Sequence, residues 1–286
     1  MPLLKTPAVV LKSRKWGDAD RIVTYFTLQH GKVRGIARGA RRMKSRFGSS
    51  LEPFVHCDLV LFEKPGDTLY RISQTDIRHA FPSIRTSLEA ITGAAQLANL
   101  AGAVTADGDA VPHVFQALLE GLRAIEHSGD PVLTAALYEL EILRFAGYLP
   151  HLDRCNACQQ HTNGGTWFFS PRAGGTVCSV CVRQEPVPCL SVSPACLAFF
   201  RQALRMELSL LPRLKPTAAI RNELYDVIEL YVECVAGRRM PRTRGMFGPG
   251  RVSARPGRAG EMVAEPQRGY RRAASDVGAQ LIAPRA

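Results

Sequence analysis

Acid is the scarcer charge in these 286 residues: 25 Asp and Glu stand against 37 Lys and Arg, a formal net charge of +12. No apolar run reaches the roughly 18 residues a spanning helix needs, because Pro, Gly or a charge interrupts each one. The opening residues, MPLLKTPAVVLKSRKW, lack the basic, then apolar, then small-residue order of a secretory signal. Aromatics are only 7%, yet 46% hydrophobic and 22% charged residues exclude wholesale disorder. The chain is therefore expected to be soluble and cytoplasmic, with no membrane partner. Catalytic signatures are also missing. There is no GxxxxGK phosphate loop followed by Ser or Thr, no GxGxxG after a strand, no GxSxG elbow and no HExxH. The HxE…PCxxC pattern of zinc deaminases and the KxDG lysine motif of ligases are absent as well. The carboxylate pairs Glu139/Glu141 and Glu229/Glu233 fall on expected helices and read as surface charge. Nothing assembles into a catalytic set, so a binding protein is expected rather than an enzyme.

The surplus of positive charge favours a polyanion, and nucleic acid is the commonest one. Its distribution says more than its total. Residues 1–80 carry a net +8, residues 81–236 a net −4, and residues 237–286 a net +8. The length suggests two or three units, and patterning divides the chain at 1–80, 81–150, 151–185, 186–240 and 241–286.

Residues 1–80 read as a small β unit. AVVLK (8–12), RIVTYFTL (21–28), KVRGIA (32–37), CDLVLFEK (57–64) and LYRIS (69–73) are short and rich in β-branched or aromatic residues. Gly17-Asp18, His30-Gly31 and Pro65-Gly66-Asp67 punctuate them, with a hairpin signal at Gln29-His30-Gly31. In KVRGIA, Val33 and Gly35 oppose Lys32, Arg34 and Ile36. Five strands in so short a span suit a closed barrel such as the OB-fold, and other five-stranded barrels fit the pattern too. Between the third and fourth strands lies ARGARRMKSRFG, which places Arg38, Arg41, Arg42, Lys44 and Arg46 within nine residues. Such local charge repels itself, so a solvated, mobile loop is expected. It is either a plain solubilising loop or one that tracks phosphate, with Lys32 and Arg34 beside it as further DNA-binding candidates. Trp16, Tyr25 and Phe47 are available to stack on bases, or equally to fill the barrel.

From residue 81 the period becomes helical. SIRTSLEAITGAAQLANLAGAV aligns Ile84, Leu88, Ile91 and Ala95, with Thr86 and Glu89 at capping-box spacing. A second helix fits 112–128, and a third starts at Asp130-Pro131 and stops near Gly147. Ser193-Pro194 opens a short helix, and 217–237 a longer one ending at Gly237. Residues 241–286 read as a basic disordered tail. Its 11 Arg, counted from residue 237, fit weak nucleic-acid binding and compositional drift equally well.

Cys155, Cys158, Cys178 and Cys181 follow C-x2-C-x19-C-x2-C, a spacing of four-thiolate zinc sites. Two knuckles turn four sulfurs toward one point and leave no open position, so a structural zinc ion is expected rather than a catalytic one. Gly164-Gly165 and Gly174-Gly175 flank TWFFS, which predicts a hairpin between the knuckles with Trp167, Phe168 and Phe169 covering one side. A redox pair is disfavoured because no thioredoxin-like βαβ pattern surrounds either CxxC.

The run VLKSRKWGDADRIVTYFTLQHGKVRGIARGARRMKSRFGSSLEPF (10–54) resembles the opening block of the RecO recombination mediators of bacteria. It shares with them the GDAD turn, the T-x-x-x-G-K hairpin (Thr27, Gly31, Lys32), ARGARRMKSR and LEPF, and the similarity continues to about residue 247. The resemblance implies a multidomain α+β fold. An N-terminal OB-fold β-barrel would be followed by an α-helical C-terminal domain with an inserted four-cysteine zinc-binding segment. It implies a non-catalytic, nucleoid-associated protein of the RecF pathway that binds single- and double-stranded DNA and promotes annealing. The implied partners are RecR and the acidic C-terminal tail of the single-stranded-DNA-binding protein, with RecA loaded indirectly. Some members of that family lack the cysteines, so the zinc expectation rests on this sequence's own spacing. The alternative reading is a zinc-ribbon and OB adaptor acting mainly through protein contacts.

Overall fold

A computed structural model of the chain describes residues 3–63, 69–161, 166–184 and 189–240. The turn expected at 65–67, the Gly164-Gly165 pair and the tail 241–286 lie outside the described residues. Strands β1 (Leu3–Trp16), β2 (Asp20–Thr27), β3 (Gly31–Ala37), β4 (His56–Phe62) and β5 (Tyr70–His79) close into an OB-like barrel in the order β1-β2-β3-β5-β4. All pairings are antiparallel except β3 with β5, which closes the barrel in parallel. Alternation sends one side chain in two inward: Ala8 and Val10, Val23 and Tyr25, Val33 and Ala37, Cys57, Leu59 and Leu61, and Ile72 form the barrel core. At Gly35 a Cβ would meet Ile72 Cγ1, so the parallel closure needs a residue without one. β5 runs well past the expected 69–73. Beyond Ile72 all its residues but the exposed Ile77 are polar and they pair only with β4, so hydrophobic alternation gives no sign of them.

Helices α1 (Leu88–Val104), α2 (Pro112–Glu126) and α3 (Pro131–Phe145) pack as a bundle, joined by α5 (Pro194–Arg205) and α6 (Ala218–Ala236). The short helix α4 (Ser179–Gln184) belongs to the cysteine segment. Asp130, Ser193 and Thr217 cap α3, α5 and α6 by accepting the N–H three residues on. Behind α3, Gly147 (φ +86°) donates its N–H to the Arg144 carbonyl, and the Tyr148 N–H goes to Leu143, a Schellman stop. Two expectations are corrected here. Ser87, not Thr86, caps α1 through the Ala90 N–H, while the Thr86 hydroxyl donates to the Ser83 carbonyl within a 3-10 turn. Glu139 and Glu141 are buried, not surface charge, because α3 is packed on all sides by its neighbours. Burial raises the Glu141 pKa, and its ion pair with Arg144 opposes that rise.

Strands β6 (Trp167–Ser170), β7 (Gly175–Cys178) and β8 (Leu190–Val192) form a second sheet in the order β7-β6-β8. β6 and β7 are the hairpin between the knuckles, but its three aromatics do not share a face. Trp167 and Phe169 are buried in the helical core, and Phe168 points the other way, as strand alternation requires. The described residues belong to one compact unit, and no helix among them is long and apolar enough to cross a membrane.

Residues that look distinctive in the sequence shape the β2–β3 turn, the barrel core and the seam between barrel and helices. Thr27 is buried; its hydroxyl donates to the Gly31 carbonyl and accepts the His30 N–H. Gly31 (φ +57°) lies so close to the Asp109 backbone that a Cβ there would collide with it. In the LEPF stretch, Leu51 enters the barrel core, Glu52 pairs with Arg21, the Pro53 carbonyl accepts from Arg85, and Phe54 enters the helical core.

Candidate nucleic-acid interface and metal centre

The loop between β3 and the turn before β4 carries Arg38, Arg41, Arg42, Lys44 and Arg46, all exposed. None is paired with a carboxylate among the described residues. The loop is a series of turns rather than a featureless arc. The Asp20 carboxylate accepts the Gly39 N–H at 2.8 Å, the Arg41 N–H donates to the Ala19 carbonyl, and the Arg41 guanidinium donates to the carbonyls of Gly17 and Asp18. The GDAD turn is thus a platform that holds the loop's backbone and leaves most of its cations toward solvent. At its far end Phe47 plugs the barrel, with the Arg46 guanidinium 4.9 Å from its ring centre.

Of the three aromatics considered for stacking, Tyr25 and Phe47 are core residues. Trp16, at the end of β1, is 51% exposed. The Arg14 guanidinium stands 5.9 Å from its ring centre.

Lys32 and Arg34 are placed differently from the loop. Lys32 is 19% exposed, and its ammonium donates to the carbonyls of Gly102 (2.8 Å) and Thr105 (2.9 Å) at the end of α1, with Asp107 at 3.1 Å. It supplies the cation that the last turn of α1 lacks, where unsatisfied carbonyls and the helix dipole favour one. Arg34 pairs with the other oxygen of Asp107. These two cations, with Lys12, Arg14, Ile22, Thr24 and Asp107, line a cleft of about 270 Å³ on the outer face of β1, β2 and β3. Lys12 and Arg14 were not singled out by sequence reasoning. The signal was available: Lys12, Arg14 and Trp16 alternate along one face of a strand. Asp107 gives no such signal, because it lies in a loop 73 residues from Arg34.

The four cysteines converge. Cys155 and Cys158 lie on the loop after α3, Cys178 ends β7, and Cys181 is in the first turn of α4. Their sulfurs all lie within 4.8 Å of one another, and none forms a disulfide. The Cys158 and Cys178 sulfurs are 3.8 Å apart. Four sulfurs placed tetrahedrally at the usual ~2.3 Å from zinc lie roughly 3.8 Å apart, so the spacing fits a bound ion. The first knuckle is laced to β7: the His151 N–H donates to Gly174, Thr176 to His151, and Asn156 to Thr176. Burial pushes the Cys155 thiol up, but the N–H groups of Cys158, Cys178 and Ala157 outweigh this and bring it down to about 6. Cys181 is pushed up to about 12, first by Cys178, then by desolvation and the remaining sulfurs. One sulfur is thus readied as a thiolate, while the crowd cannot ionise together without a cation among them. This set can hold a metal ion, and its four ligands leave no position for substrate.

Comparison with known proteins gives a consistent result along the chain. Residues 1–81 match the family model described as Recombination protein O N terminal, and residues 85–244 match Recombination protein O C terminal. The DNA repair protein RecO of Desulfitobacterium hafniense (strain DSM 10664 / DCB-2) is 32% identical over 235 residues, covering 82% of this chain and 85% of the relative. The protein of the same description from Thermoanaerobacter sp. (strain X514) is 31% identical, covering 82% and 92%. That from Thermobifida fusca (strain YX) is 38% identical over 208 residues, covering 72% and 83%.

Proposed function

This chain belongs to the RecO family of DNA repair and recombination mediators, and from that membership we propose that it is a non-catalytic DNA-binding protein of the RecF pathway. It binds single- and double-stranded DNA, anneals complementary strands, and acts with RecR and the acidic tail of the single-stranded-DNA-binding protein to load RecA. The observation that carries this reading is the loop of Arg38, Arg41, Arg42, Lys44 and Arg46, exposed and without carboxylate partners among the described residues. Unpaired cations on a braced loop neutralise backbone phosphate without first breaking an ion pair. They also lower the repulsion between two strands brought together. Zinc at Cys155, Cys158, Cys178 and Cys181 supplies folding free energy to the hairpin and takes no part in chemistry.

Replacing the five loop cations by Gln tests the reading through titration of a single-stranded oligonucleotide at two salt concentrations. The salt dependence should flatten by up to about 3.5 in log–log slope, at roughly 0.7 per lost phosphate contact. Annealing without nucleotide should slow in parallel. Affinity and slope equal to those of the parent protein would refute the assignment.

A further inference from the structure

The cleft on the outer face of β1, β2 and β3 holds four cations, Lys12, Arg14, Lys32 and Arg34, against one carboxylate, Asp107. Strand register sets them in rows. Lys12 opposes Thr24, which opposes Arg34; Arg14 opposes Ile22, which opposes Ile36. Along β1 the row continues through Trp16 to the GDAD turn, on which the Arg41 guanidinium rests. The cleft and the cationic loop therefore lie at two ends of one track, with Lys12 and Trp16 roughly 13 Å apart along the strand.

Asp107 comes from outside the barrel. It sits in the loop after α1, whose Gly108 N–H donates to the Lys32 carbonyl. One carboxylate oxygen is 3.1 Å from the Lys32 ammonium and the other is on the Arg34 guanidinium. Two acceptor oxygens shared between a lysine and an arginine are what a phosphodiester's non-bridging oxygens would present there. Arg34, first, and Lys32 hold the Asp107 carboxyl below the usual carboxylate range, so it stays charged at neutral pH. The cleft's volume of about 270 Å³ leaves room for a phosphate group. Asp107 and Arg34 are both about half exposed, so the pair is accessible to a competing anion.

We propose that this cleft is a phosphodiester subsite for a single strand, and that Asp107 occupies it as a built-in competitor until nucleic acid displaces it. The proposal rests on the DNA-binding reading above and adds to it a second contact region and a residue that weakens binding. Displacement frees Arg34 for phosphate while Lys32 keeps its two α1 carbonyls, so the seam between barrel and helices survives the exchange. The carboxylate tunes affinity downward, which suits a protein that must release the strands it has paired.

The test uses the full chain and a single-stranded oligonucleotide, with thermal unfolding as a fold control. Asp107→Asn should bind about 5-fold tighter at low salt, with the log–log slope steeper by about 0.7, one more counterion released. Asp107→Glu should behave like the parent. Lys12→Gln with Arg14→Gln should weaken binding, and should cancel most of the gain when added to Asp107→Asn. If Asp107→Asn binds no tighter at an unchanged melting temperature while the loop variant still loses affinity, the subsite is wrong and the DNA-binding reading stands. If the melting temperature falls, Asp107→Glu binding tighter than the parent would equally sink the competitor role. If loop and cleft variants all match the parent, the DNA-binding reading itself fails.

Discussion

The chain contains two small β units held together by different forces. The barrel closes five strands around its own apolar interior, from Ala8 through Tyr25 to Ile72, and leaves no exposed edge along most of its circumference. The cysteine segment has strands of four, four and three residues. Its buried side chains, Trp167, Phe169 and Val177, belong to the helical core rather than to one of its own. A sheet of that size cannot bury enough surface to offset its ordering entropy, so it borrows a core on one side and needs a cross-link on the other. The barrel's surface is thereby free to carry function. In the proposed reading, the cysteine segment's chemistry is spent on holding itself together.

Removing the proposed zinc should give the largest effect. Chelation, or Cys155→Ser, should unfold the β6–β7 hairpin at a cost of several kcal/mol. Emission from Trp167, followed in a Trp16→Phe background, should shift to the red, and one zinc per chain should be lost by metal analysis. Oligonucleotide affinity should stay within about twofold. A metal-free protein with unshifted Trp167 emission would erase the contrast between the two units.

Gly31→Ala probes the seam on which the barrel depends. A Cβ there meets the Asp109 backbone, and φ is +57°, so a loss of about 2–4 kcal/mol is expected in chemical denaturation. The zinc content should not change. A loss under 0.5 kcal/mol would show that the barrel and helices are less tightly joined than the packing requires.

The smallest effect is a pH dependence from the same seam. His56, at the start of β4, is buried beside Phe115 of α2, and its Nε2 has no partner among the described residues. Burial first, then Arg78 and Arg123, lower its pKa from 6.5 to about 4. Between those values the unfolded chain takes up a proton that the folded chain refuses. Stability is therefore full above about pH 6.5 and falls as the pH drops toward 4, by at most about 3 kcal/mol. Thermal unfolding across that range should show the decline, with a shallower slope in His56→Leu. Equal slopes would assign the acid sensitivity to other groups.

Much of the architecture was legible. The five strands, the three bundle helices, the stops at Gly147 and Gly237 and the cysteine quartet all have local causes: alternation, caps, positive φ and knuckle spacing. What was not legible depended on neighbours distant in sequence. Glu139 and Glu141 read as surface charge because periodicity cannot tell a helix packed on one face from one packed on all. Phe168 could not be separated from Phe169 until the strand had an inside. Among the residues that mark the family resemblance, Thr27 braces the β2–β3 turn while Gly31 and Phe54 pack on the helical domain, so they identify a fold rather than a binding surface.

The sequence by itself determined where the positive charge lies, where the five barrel strands have their apolar centres, and which four sulfurs meet. Only the tertiary structure decided which cations are free. In one dimension Lys32 and Arg34 look like Arg42 and Lys44, yet the first two are engaged by Gly102, Thr105 and Asp107 from the helical domain. The physical reason is range: a hydrogen bond or ion pair acts over a few ångströms of space and takes no account of the seventy residues of chain that separate its partners.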